Sequence, residues 1–208
     1  MVAGHDSLRR IIPALAISAI GALFYNVLPL YVGAAQDHLA LSNGDAGLLP
    51  AAFFAGYNLA TIAAFFWIRR WNWRTAAAFW LPVALLGLIG SVTIPSTYAL
   101  FLSTAISGSG FAVLYGIGTT ILADTSNPTR WYGFKIALEA VPGACLLFIL
   151  PTTLVPAFGF VGVIGALVGV SLVLALFLPT LPVSSSLDSA THSAQNQVEG
   201  QLPTTRPL

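Results

Sequence analysis

Two oppositely charged side chains four residues apart, Lys135 and Glu139, stand inside an apolar stretch running from Trp131 to Leu154. Residues at that spacing share one face of an α-helix. An ionisable group within a membrane helix is a functional-site candidate by default, because hydrocarbon is a costly place to leave it. A carboxylate so placed can bind a coupling proton or the cationic group of a solute. If the helix starts near Trp131, Glu139 lies about 12 Å along it, at roughly 1.5 Å per residue. The alternative is a helix-end pair in which Lys135 reaches back to the lipid headgroups.

A second charged set joins Arg69, Arg70 and Arg74, between the second and third apolar stretches, with Asp124 at the end of the fourth. The chemistry expected of it is an ion pair that latches one side of the molecule shut. The alternative is a solvated helix-end charge worth under about 1 kcal/mol. A third set is uncharged: Tyr25, Asn26, Tyr57, Asn58, Thr104, Ser107 and Tyr115. These are candidates to line the path of a small organic substrate, since a tyrosine both stacks and hydrogen-bonds. For each alone, hydrogen bonding between helices is the alternative.

The elements that must position these residues are apolar stretches at 11–32, 46–68, 75–94, 98–123, 131–154 and 158–181. Each is long enough for a helix to cross a hydrocarbon core of about 30 Å. The chain is 57% hydrophobic and 7% charged, against about 25% charged in soluble domains. An all-α membrane protein of six transmembrane helices is therefore expected. Polar residues concentrate in the first, second, fourth and fifth spans. Beyond Thr75 at its first position, the third holds Ser91 and Thr93, and the sixth Ser171 and Thr180. The four polar spans read as walls of a cavity, the other two as peripheral.

The basic residues fix an orientation. Arg9 and Arg10 precede the first span, Arg69, Arg70 and Arg74 follow the second, Arg130 and Lys135 open the fifth, and Arg206 lies in the tail. Six spans put all 8 of them on one side, which the positive-inside rule makes the cytoplasm. Both termini are expected there, in a bacterial cytoplasmic (inner) membrane. The first span is too long for a signal-peptide core and has no small-residue cleavage site after it. Residues 183–208, rich in Ser, Thr, Gln, Asn and Pro, read as a disordered polar tail or linker. The single cysteine, Cys145, is expected as a small core residue. Trp67, Trp71, Trp73, Trp80 and Trp131 read mostly as an aromatic belt. Gly165 and Gly169 form a small-residue pair suited to helix contact. A net charge of +1 gives no sign of nucleic acid, and His5, His38 and His192 form no ligand cluster.

With these residues in view, a family resemblance emerges. Leu28-Pro29-Leu30 late in the first span, Leu41-Ser42 and Gly47 at the start of the second, and Gly56-Tyr57 within it resemble the opening of a major facilitator superfamily transporter. The resemblance covers about residues 8–182, the amino-terminal six-helix half of a fold that usually has twelve helices. It implies that helices one, two, four and five surround the substrate path and that the Arg-bearing loop gates the cytoplasmic side. Three departures stand out. The loop at 69–74 lacks the family's Asp, and Asn72 stands near its Gly position. Thr104 stands four residues before Gly108, where the family usually has an Arg associated with proton coupling. Pro142-Gly143 reverses the family's Gly-Pro of helix five.

The function expected is secondary transport of a small solute, by a truncated or half-size carrier completed by a second copy or a missing carboxy-terminal half. A non-transporting partner or assembly factor of a full-length carrier is the alternative. No Walker sequence, nucleophile–base set or metal-ligand spacing is present, so an enzyme, a cofactor and a bound metal are not expected.

Overall fold

In a computed structural model, residues 7–184 are described. They form α1 (Leu8–Leu39), α2 (Asn43–Trp67), α3 (Trp73–Thr93), α4 (Thr97–Ala123), α5 (Pro128–Ile149) and α6 (Leu154–Ala175), with 3-10 turns at Leu150–Thr152 and Leu178–Thr180. Among the described residues the chain is all-helical, and six helices are long and apolar enough to cross a membrane. The tail reading from residue 185 onward, with His192 and Arg206, lies outside the described residues, as does His5.

Helix starts follow local chemistry. Ser42 Oγ accepts from the Asp45 amide at 3.1 Å, Asn72 Oδ1 from those of Arg74 and Thr75, and Asn127 Oδ1 from that of Arg130 at 3.2 Å. Each satisfies an amide that the first helical turn leaves unpaired. Asn72 is therefore the cap of α3. Asn127 followed by Pro128 sets the start of α5 three residues before the expected Trp131, because proline suits a first helical position. At the other end of the fold, α1 runs to Leu39 and stops at Ala40, whose φ of 50° is left-handed. α6 is broken near its start by Gly159, with φ 56° and ψ −136°.

Packing is built on the contact of α1 with α4. α4 takes α2 and α3 on its flanks, α1 takes α5 and α6, and α3 touches α6 on one side. On the other side α2 and α5 make no substantial contact with each other. Among the described residues the four polar spans thus border a face left open between α2 and α5. α3, expected to be peripheral, is more buried than α2 or α5, because it packs along α4.

Close approach at α4 needs small residues. A Cβ on Gly56 of α2 would collide with the Ala105 carbonyl, one on Gly108 with that of Phe53, and one on Gly118 would lie 2.6 Å from that of Ala14. By contrast Gly165 and Gly169 have nothing within 4 Å. The contact expected of that pair is not made among the described residues, because both face away from the helices α6 touches.

Two further expectations are corrected. Trp73 is fully buried and donates from Nε1 to the Ile68 carbonyl at 2.6 Å, so it closes the α2–α3 turn and belongs to no belt. Cys145 is exposed, because α5 turns a different stripe inward.

Candidate functional site

α5 is built inside out. Its fully buried residues are Lys135, Glu139 and Gly143, at i, i+4 and i+8 on one face. Phe134, Ile136, Leu138, Val141 and Phe148 point outward. In water this arrangement would be backwards. With hydrocarbon outside, it hides the charges and leaves the apolar side chains in their preferred solvent. Gly143 makes it possible, since any Cβ there would run into the Asn26 side chain of α1. Counted from Pro128, Glu139 lies about 16 Å along the helix at roughly 1.5 Å per residue, near the middle of the Pro128–Thr152 span.

The charges are met from three helices. Lys135 Nζ lies 2.8 Å from Glu139 Oε1, with the two side chains 2% and 6% exposed. Ser18 of α1 donates its hydroxyl to the same oxygen. Asn26 of α1 donates to the Glu139 backbone carbonyl at 3.0 Å. The Lys135 ammonium sits 3.8 Å from the centre of the Tyr115 ring on α4 and 5.8 Å from that of Tyr132. A cation over an aromatic face is attracted by the ring's quadrupole, more strongly where water is excluded.

Tyr25, Tyr57 and Tyr115 form a triangle of rings, each pair 6.3 Å between centres. All are half-buried, at the place where α1, α2 and α4 meet beside the open face. Tyr25 also lines a groove of 530 Å³ between α1 and α2, with Leu28, Pro29, Val32, Pro50 and Phe54. One tyrosine therefore belongs to the groove, another covers the ion pair, and the two are in contact.

The structure brings Tyr25, Asn26, Tyr57, Tyr115, Lys135 and Glu139 together, and separates the rest. Asn58 is exposed on α2. Thr104 is buried and hydrogen-bonded to Tyr31 at 2.7 Å and to the Leu100 carbonyl. Ser107 donates to the Ala84 carbonyl of α3 at 2.9 Å. Both hydroxyls are spent on helix packing, so neither lines the path expected of it. Ser18 and Tyr132 were missed as site residues. Their polarity was visible, but only the register between helices shows that they meet the ion pair.

The latch set also divides. Both terminal nitrogens of Arg69 lie 3.3 Å from Asp124 Oδ1, joining the α2 end to the α4 end. Arg74 instead grips the Leu181 carbonyl at 2.7 and 3.2 Å, and the Trp73 amide donates to that of Val183. Arg70 is exposed. Asp124 is 1% exposed and Arg69 49%, so solvent screens one partner only. A double-mutant cycle with Arg69→Gln and Asp124→Asn, read by thermal unfolding, is expected to give a coupling of about 1 kcal/mol that shrinks with added salt. A coupling of zero would remove the latch.

No family model, curated protein or solved structure matches the chain.

Proposed function

We propose that this chain is one wall of a secondary transporter of a small solute, similar in plan to the amino-terminal half of a major facilitator, with both termini in the cytoplasm. The buried Lys135–Glu139 pair carries the reading. It lies mid-span, under a tyrosine cluster, on the side where α2 and α5 stand apart. A purely structural helix has little reason to keep both charges there, since apolar residues of similar volume often stabilise as well or better. The clustering of arginines at the ends of α1, α2 and α3 supports the orientation, and a bacterial inner membrane is the setting proposed.

In this fold a solute site lies between two halves. The open face bordered by α2 and α5 is then the surface that a second copy or a carboxy-terminal half would close. The competing reading, a non-transporting partner of a full-length carrier, draws on the neutralisation of Glu139 by Lys135 and its hydrogen bond from Ser18, and on the lack of an Arg in α4. Reconstitution in phospholipid vesicles separates the two. A transporter should move solute from a mixed panel of labelled organic cations, anions and neutral compounds across the bilayer, and Glu139→Gln should stop it. Vesicles no leakier than protein-free ones, for the chain alone and with added carboxy-terminal half, would leave the partner reading.

A further inference from the structure

We infer that the site takes a small organic ammonium, which displaces the Lys135 ammonium from Glu139 and Tyr115. The inference rests on the reading of the Lys135–Glu139 pair as the solute site, and adds the chemical class.

The surroundings of Lys135 Nζ describe what a replacement must be. They are a carboxylate oxygen at 2.8 Å and the face of Tyr115 at 3.8 Å, with Tyr132 at 5.8 Å. An oxygen anion and ring faces are complementary to a cation. The two halves of the pair are held differently. Glu139 is fixed from α1, with Ser18 donating to its side chain and Asn26 to its backbone carbonyl. Among the described residues Lys135 is held at its tip by the carboxylate and the rings, on a flexible four-carbon stem. It stands seven residues after the start of α5, about 10 Å along the helix, close enough for its ammonium to swing toward the arginine-bearing end. Lys135 is thus the movable partner and Glu139 the fixed one.

Exchange of one ammonium for another keeps the buried carboxylate neutralised in both states. An anion offers no such exchange. To reach Lys135 it would strip Glu139 of its counter-charge and come up against ring faces that repel it. The groove supplies the rest. Its 530 Å³ is lined by Tyr25 and apolar side chains, and Tyr25 touches Tyr115, so an apolar body can rest in the groove while the charged end replaces Lys135.

The test is direct binding by calorimetry in lipid nanodiscs, with benzylammonium as the cation and phenylacetate as an anion of similar shape. Wild type should bind benzylammonium and not phenylacetate. Lys135→Met removes the tethered competitor and should tighten benzylammonium binding at least about tenfold. Glu139→Gln should abolish it. Added to Lys135→Met, Tyr115→Leu should weaken it about tenfold, because only without the lysine is the ring's attraction lost to the ligand alone. Phenylacetate binding that Lys135→Met destroys would overturn the inference, as would benzylammonium binding that Lys135→Met leaves unchanged, or no benzylammonium binding by either protein. If circular dichroism shows that Lys135→Met does not fold, Lys135→Gln, which also removes the competing charge, takes its place, and unchanged affinity overturns the inference. Uptake in vesicles is scored separately. Binding of the expected pattern without uptake sinks the transport reading and keeps the ligand class. Glu139-dependent uptake confined to anions or neutral solutes does the reverse.

Discussion

In the transport proposed, Glu139→Gln is expected to lower solute flux about a hundredfold, equivalent to roughly 3 kcal/mol of lost interaction. The substitution strands a buried ammonium, and breaking one side of a buried pair costs about 3–5 kcal/mol because the partner is left uncompensated. Tyr115 and the flexible stem of Lys135 soften that loss. A fall in activity could therefore come from unfolding alone. The double variant Lys135→Met with Glu139→Leu separates the causes. Replacing both charges by apolar groups of similar size leaves no orphan, so its thermal stability should equal or exceed that of wild type. Its transport should stay as low as that of the single variant. A double variant both stable and fully active would reduce the pair to packing and end its candidacy as the solute site.

The largest effect on folding is expected at Gly56. A side chain there meets the Ala105 carbonyl and the backbone atoms beside it, which belong to the helix and cannot turn aside as a flexible side chain does. Without a hydrophobic drive between membrane helices, such close backbone approach is what holds them together. Gly56→Ala should cost about 3 kcal/mol, the upper end of the usual range for overpacking, and Gly56→Leu should yield little protein that remains monodisperse after detergent extraction. Gly165→Ala and Gly169→Ala are the controls, with nothing within 4 Å to collide with, and should behave as wild type. Equal loss in the controls would take the effect away from the α2–α4 contact, since alanine's better helix propensity acts in the opposite direction.

The six helices could be read from the sequence because apolar runs alternate with the few charges, and a membrane span announces itself by length. Lys135 and Glu139 were legible for the same reason, since charge is conspicuous where almost none is present. Which way a hydroxyl faces was not. Thr104 and Ser107 lie on a helix whose small polar residues are spread around its circumference, so periodicity gives no inward direction, and the carbonyls that capture them are set by the packing of α4 on its neighbours. Ser18 shows the converse. It stands on α1, far from Glu139 in sequence, and only the seating of Gly143 against Asn26 brings α5 near enough for the bond. Arg74 was indistinguishable from Arg69 until the end of α6 returned to α3. The early start of α5 had a usable signal, an asparagine followed by proline, which the apolar count overlooked.

The inside-out stripe of α5 also bears on how the protein is made. A nascent helix enters the bilayer by partitioning, and a lysine or an acidic residue near its centre opposes that step by about 2.5–3.5 kcal/mol. Taken alone, α5 carries one of each within its span, the glutamate near the middle and the lysine one turn nearer the start. Their i, i+4 placement lets them enter already paired, and Ser18, Asn26 and Tyr115 offer the remaining partners. Those partners come from α1 and α4, both synthesised first. The order of the chain therefore has α5 emerge beside a surface already shaped to receive its charges, so that insertion and docking of this helix become one event.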